Sequence, residues 1–219
     1  MLALVGAPCR AVDAGCGTGR AAVLLAACGV TGVGVEPDRA MAEVARRNLA
    51  AFSSWRVDVA DFEDWRADEP FDLVTSAQAW HWIDPERGTR TLEEILQPGG
   101  WLAIFRHDWE PEDTPVRRAI DAAYAQHDPS TSASTRTSSL DEPLAHGARF
   151  GHPIRREYVW SATYTSHEWI ELIGTTSDHR VLPEAQRSSL LAAVATAIDA
   201  HGGIYVHRYV TRLWAAQRL

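Results

Sequence analysis

The sequence predicts an α/β fold built on a mostly parallel sheet, and three observations carry that expectation. Short apolar runs alternate with amphipathic helical stretches through the first half of the chain. The first of those runs enters a glycine-rich turn, Gly15-Cys16-Gly17-Thr18-Gly19, that opens onto a helical stretch. A length of 219 residues with 46% hydrophobic content suffices for one domain with a substantial core.

The elements follow in order. Residues 9–13 form the first strand and residues 20–28 the first helix, closed by Gly29. Residues 30–36 are apolar except at their end and make the second strand. Asp38 caps a second helix whose apolar face is Met41, Val44, Ala45 and Leu49. Residues 55–59 and 71–76 are strands three and four. Asp84-Pro85 combines an N-cap acid with proline at the first helical position and starts a helix reaching residue 96. Gln97-Pro98-Gly99-Gly100 is expected to be a tight turn feeding strand five, residues 101–106, with a helix over 116–126 behind it. Residues 128–139 (DPSTSASTRTSS) are polar and of low complexity, a surface loop or a lid. Residues 154–164 and 204–214 then read as strands flanking helices near 166–173 and 183–201, and no segment repeats.

Composition narrows the function. A net charge of −8 opposes a nucleic-acid groove, which would show a basic stripe. No apolar run approaches the ~20 residues that cross a bilayer, and no secretory leader opens the chain. Cys9, Cys16 and Cys28 lack metal-ligand spacing and read as reduced thiols, so the cytoplasm is the expected compartment. All 21 basic residues are arginine, so no lysine can act as base or anion clamp. Neither His146, His152 and His167 nor any other set has metal-ligand spacing, and no metal is expected. Nothing in the pattern sets an oligomeric state.

Asp13 stands two residues before the first glycine. A phosphate-binding turn wants positive field and no carboxylate there, so Asp13 suits a ligand that is cationic at that end. The dinucleotide pattern G-x-G-x-x-G is absent, because Arg20 occupies the place of its third glycine. Glu36, which closes the second strand, can accept both hydroxyls of a ribose, as in NAD enzymes also.

Taken together, Asp13-x-Gly15-x-Gly17-x-Gly19, Glu36, Phe71-Asp72-Leu73-Val74 and Pro98-Gly99-Gly100 resemble the motifs of class I S-adenosylmethionine-dependent methyltransferases. The run Gln78-Ala79-Trp80-His81-Trp82-Ile83-Asp84 is similar to the branch that includes trans-aconitate methyltransferase and its fungal relatives, which methylate small molecules. The resemblance implies a Rossmann-like class I methyltransferase fold of seven strands, the two late ones forming an antiparallel pair at the sheet edge. It implies one domain over 1–219, cofactor-binding over 1–110 and acceptor-side over 111–219.

It also implies S-adenosyl-L-methionine as cofactor, at Asp13, Gly15, Gly17, Gly19, Glu36, Asp61, Phe62, Ala77 and Gln78. Asp61 would accept from the adenine amino group, with Phe62 near the base. His81 is the candidate base for a hydroxyl acceptor and Trp82 the wall against sulfonium or acceptor. If residues 76–84 are extended, Trp80 and Trp82 alternate and only one faces the site. Arg106 is the best-placed clamp for a carboxylate acceptor, ahead of Arg136, Arg155 and Arg156.

The expected function is methyl transfer to a small-molecule acceptor, on oxygen, by direct in-line displacement, without nucleic-acid or membrane partners. Members of the family carry one or two helices before the first strand, where this chain has residues 1–8. Either the chain is natively short, in which case a more open, weakly binding site is expected, or its true start lies upstream; a non-catalytic cofactor-binding module or partner subunit is the alternative function.

Overall fold

The computed structural model describes residues 5–6, 9–110, 112–127 and 149–219. The loop at 128–139, with Arg136 and His146, lies outside the described residues. Strands β1 (Arg10–Ala14), β2 (Thr31–Val35), β3 (Trp55–Asp58), β4 (Phe71–Ala77), β5 (Leu96–Trp109), β6 (Ile154–Thr165) and β7 (Ile204–Gln217) form one sheet in the order β3-β2-β1-β4-β5-β7-β6. The pairs β1–β2, β1–β4, β2–β3 and β4–β5 are parallel. β7 runs against β5: Gly99 bonds to Arg218, whereas Glu110 bonds to Arg208. The seven-stranded, mostly parallel sheet with a late antiparallel pair is thus the one expected.

Period-two alternation explains the cores on its faces. Ala11, Leu73, Ala103 and Leu213 pack with Ala22 and Leu25 of α1 (Arg20–Ala27) and with Ala42, Ala45 and Leu49 at α2 (Arg39–Asn48). Their neighbours Val12, Val74, Leu102 and Trp214 join Leu92 and Ile95 of α3 (Pro85–Ile95) in a second cluster. A third gathers Ile120 and Tyr124 of α4 (Pro115–His127), Trp169 and Ile173 of α5 (Ser166–Gly174), and Leu190, Val194 and Ile198 of α7 (Glu184–Asp199). A short α6, Ser177–Arg180, lies between the last two. Two compact units result: Met1–His107 with Ser139–Glu157 and Arg212–Leu219, and Asp108–Ser138 with Tyr158–Thr211.

Caps behave as the sequence requires. Asp38 accepts from the Ala40 and Met41 amides, and Asp84 from those of Glu86 and Arg87, ahead of Pro85.

Three local expectations are corrected. Gln97-Pro98-Gly99-Gly100 is not a turn but the start of β5, displaced in register between Phe71 and Leu73 of β4. The Gly99 amide donates to the Arg218 carbonyl and the Arg218 amide to that of Gly100, so the end of the chain satisfies this irregular backbone. On α2, Ala42 rather than Met41 is on the buried face, three and seven residues before buried Ala45 and Leu49. Met41 is 41% exposed. Residues 80–82 are not extended; Trp80–Trp82 form a single 3₁₀ turn.

Candidate active site

Two turns at the C-terminal ends of β1 and β4 build the site, where open α/β sheets bind ligands. After Ala14 the chain passes through glycines with left-handed φ, +67° at Gly15, +56° at Gly17 and +82° at Gly19. The Gly15 and Cys16 amides both donate to the Val35 carbonyl, at 2.9 and 3.0 Å. The Gly17 amide donates to Glu36 Oε2 at 2.8 Å and the Asp38 amide to Oε1 at 3.0 Å. Buried Glu36 therefore spends one lone pair of each oxygen on the backbone and keeps one on each for a pair of hydroxyl donors.

Asp13 is placed differently from the direct ligand contact expected of it. It is 1% exposed and lies beneath the turn. Thr75, its partner in the parallel register, donates its hydroxyl to Oδ1 at 2.8 Å, and Oδ2 has no hydrogen-bond partner. Burial pushes the Asp13 carboxyl up to about 7; the Thr75 hydroxyl and Ala22 amide oppose the rise, and the charge of Glu36 adds to it. Folded Asp13 thus holds a proton that the unfolded chain releases above its ordinary value of about 3.9. Stability from this group is present at low pH and falls as pH climbs from about 4 through about 7. Asp13→Asn should flatten that part of the profile while keeping a Thr75 partner, which denaturant unfolding at pH 5 and pH 7.5 would show. A wild-type slope in the variant would reassign the titration.

After β4, Gln78 takes φ +60°, the one non-glycine residue with positive φ among the described residues. Its amide donates to the Phe105 carbonyl at 2.9 Å and its side-chain Nε2 to that of His107 at 3.3 Å. These bonds tie the turn to β5 and offset the backbone strain. Ala79 then presses on the glycine turn: a Cβ at Gly15 would stand 2.4 Å from Ala79 Cβ.

The 3₁₀ turn sends the two indoles apart. Trp80 is buried with its ring 6.2 Å from Phe62, whereas Trp82 is 73% exposed, 5.0 Å from the His81 ring. Phe62 is itself buried and Asp61 is exposed. His81 is exposed at the surface, yet partial desolvation and then the positive charge of Arg106 lower its pKa below the ordinary histidine value. Arg106, half-buried on β5, is therefore close enough to act on it. Arg155 and Arg156 are exposed on β6. Cys16 is buried, and burial pushes its thiol up, so it is no nucleophile. Among the described residues no three His, Cys, Asp or Glu side chains gather to hold a metal ion.

Sequence reasoning missed Thr75 and Ala79. Thr75-Ser76, two polar residues closing an apolar strand, were the available signal for the first. Nothing local marks Ala79, whose role is to be small opposite Gly15.

A family described as a methyltransferase domain matches residues 12–104, the stretch that carries both turns. Trans-aconitate 2-methyltransferase of Paracidovorax citrulli is 30% identical, over 86% of this chain and 77% of that one. The chain belongs to the class I S-adenosylmethionine-dependent methyltransferases. A methyltransferase of Mycobacterium tuberculosis is 29% identical, over 88% of this chain and 74% of its own. The YcgJ protein of Bacillus subtilis shares the fold, with a TM-score of 0.59 at 22% identity over 96% of this chain and 92% of the other.

The cofactor of this methyltransferase is S-adenosyl-L-methionine, and the site fits it. The remaining lone pairs of Glu36 suit a vicinal diol, and the glycine turn admits close approach of a ligand. When bound, the cofactor supplies a methyl group on a sulfonium, so the protein needs only to align an acceptor and exclude water.

Proposed function

We propose that the methyltransferase acts in the cytoplasm on a small organic acid, transferring the methyl group to a carboxylate oxygen by in-line displacement. The observation that carries this reading is the half-buried Arg106 on β5, whose charge acts on His81 and whose chain neighbours Phe105 and His107 accept bonds from the Gln78 turn. An arginine there offers a planar fork to a carboxylate, which arrives ionised and needs no base. His81, kept neutral by desolvation and by Arg106, then positions the acceptor by hydrogen bonding and does not have to remove a proton. Trp82 supplies an aromatic wall. Asp61, Phe62 and Ala77 complete the cofactor side, with Asp61 at the adenine amino group. The similarity to trans-aconitate 2-methyltransferases supports a carboxylate acceptor. The net charge of −8 speaks against a nucleic acid as acceptor, and among the described residues no helix is long and apolar enough to cross a membrane.

Turnover to S-adenosylhomocysteine, followed across a panel of di- and tricarboxylic acids, tests the reading. Arg106→Gln should raise KM for the best acid by about tenfold or more, with a smaller change in kcat. With a fully ionised carboxylate acceptor, kcat/KM should be flat from pH 5 to 8. A hydroxyl acceptor would instead make it rise with pH through a His81 pKa below the usual value. Activity on alcohols alone, lost in His81→Ala, would overturn the carboxylate assignment.

A further inference from the structure

The two edges of the sheet are built differently. An edge strand offers a row of N–H and C=O groups to any further strand, and proteins blunt it with short length, charge, proline or a bulge. At one edge, β3 is four residues long and carries the Arg56–Asp58 ion pair. At the other, β6 is twelve residues long, and among the described residues no strand but β7 lies beside it. All the charge of β6 is in Arg155, Arg156 and Glu157; from Tyr158 to Thr165 there is no charged residue, proline or glycine.

Residues 155–161 are exposed without interruption. Tyr158, Val159 and Trp160, at 52%, 55% and 41% exposure, follow one another directly. Successive strand residues point to opposite faces, so this apolar surface lies on both faces of the sheet. A partner covering one face would leave the other wet, whereas a strand added at the edge flanks both. Trp160 is already held in place: it stacks on Tyr209 of β7 with ring centroids 4.4 Å apart and donates Nε1–H to Thr211 Oγ1 at 2.8 Å. Such an aromatic group loses little side-chain freedom on binding.

The charge pattern selects the strand that fits. A second copy of β6, laid antiparallel with Val159 on a two-fold axis, sets Tyr158 of each copy opposite Trp160 of the other. Glu157 then meets Ser161, Arg156 meets Ala162 and Arg155 meets Thr163, so no like charges are opposed. The basic end of each strand also arrives at the end of the other where Thr165 and exposed Glu168 form a capping box. A parallel copy would instead set arginine against arginine. We infer that β6 is the interface of a homodimer, formed by antiparallel pairing about Val159 so that two seven-stranded sheets continue as one. The two-fold pairing consumes this edge in both copies and β3 is blunted, so assembly closes at two.

Sedimentation equilibrium of the full chain from about 1 to about 100 µM should reach twice the chain mass and go no higher. Val159→Lys and Val159→Glu, at an exposed position, each oppose like charges across the axis and should weaken the dimer about tenfold or more. An equimolar mixture of the two should recover the dimer, because lysine then faces glutamate. Val181→Lys, at 80% exposure outside β6, should leave the mass unchanged. Hydrogen exchange over residues 155–163 should slow as the wild-type chain is concentrated and stay fast in Val159→Lys. A chain monomeric throughout that range, association beyond two, a dimer indifferent to both Val159 variants, or a mixture that stays monomeric would each overturn the inference. The first of these would leave the edge to a strand of another protein.

Discussion

Glu36→Gln is expected to lower affinity for S-adenosylmethionine by about 10- to 100-fold, although it alters one atom and removes one charge. The wild-type carboxylate accepts from the Gly17 amide through one oxygen and from the Asp38 amide through the other. A carboxamide has a single oxygen, so its NH₂ must face one of those two N–H groups, donor against donor. Leaving a buried donor unpaired costs about 1–3 kcal/mol. Here the cost falls on the glycine turn or on the start of α2, both of which flank the ligand. The diol also loses one of its two acceptors. Glu36→Asp retains the charge but is one methylene short, and it should bind with intermediate affinity. Calorimetric titration with S-adenosylmethionine and S-adenosylhomocysteine reads both variants, and unchanged affinity in Glu36→Gln would remove Glu36 from the cofactor site.

The parts of this enzyme legible in its sequence are those whose cause is local. The apolar runs of β1, β2 and β4, the caps at Asp38 and Asp84, and the Asp13-to-Gly19 turn each depend on residues a few positions apart, so pattern alone reveals them. What escaped depends on partners far away in the chain. Pro98-Gly99-Gly100 has turn composition, and it becomes strand only because Arg218 and Gln217 supply its hydrogen bonds. Met41 has the hydropathy of a core residue, yet the helical face that is buried is the one shared by Ala42, Ala45 and Leu49. The left-handed backbone at Gln78 was hidden because glutamine gives no sign of it; the bonds to Phe105 and His107 impose it. For the candidate site, the sequence identified which residues stand at the strand ends. It could not show that Asp13 faces inward to Thr75, or that Trp80 packs on Phe62 while Trp82 stays in solvent.

Gly15→Ala should be severely damaging to the cofactor site for a single added methyl, for two separable reasons. The residue sits at φ +67°, where an L side chain is disfavoured by roughly 1–2 kcal/mol. Its added Cβ would also lie 2.4 Å from Ala79 Cβ, well inside contact, and overpacking of that kind costs about 1–3 kcal/mol. The two turns would have to separate, displacing Gln78 and His81 from the cofactor turn, so S-adenosylmethionine binding should be lost even where the chain still folds. Ala79→Gly in the Gly15→Ala background removes the collision but not the backbone strain, and so should recover part of the stability and some binding. Gly29→Ala isolates the other term: that residue also has a left-handed φ, +82°, but a Cβ there meets nothing within 4 Å. It should destabilise by the strain alone and leave cofactor affinity untouched. Denaturant unfolding of the four proteins, paired with calorimetric titration, separates the contributions. Full rescue by Ala79→Gly would assign the whole effect to the collision. Binding unaffected in Gly15→Ala would mean that the close approach of the β1 and β4 turns is not what shapes the cofactor site.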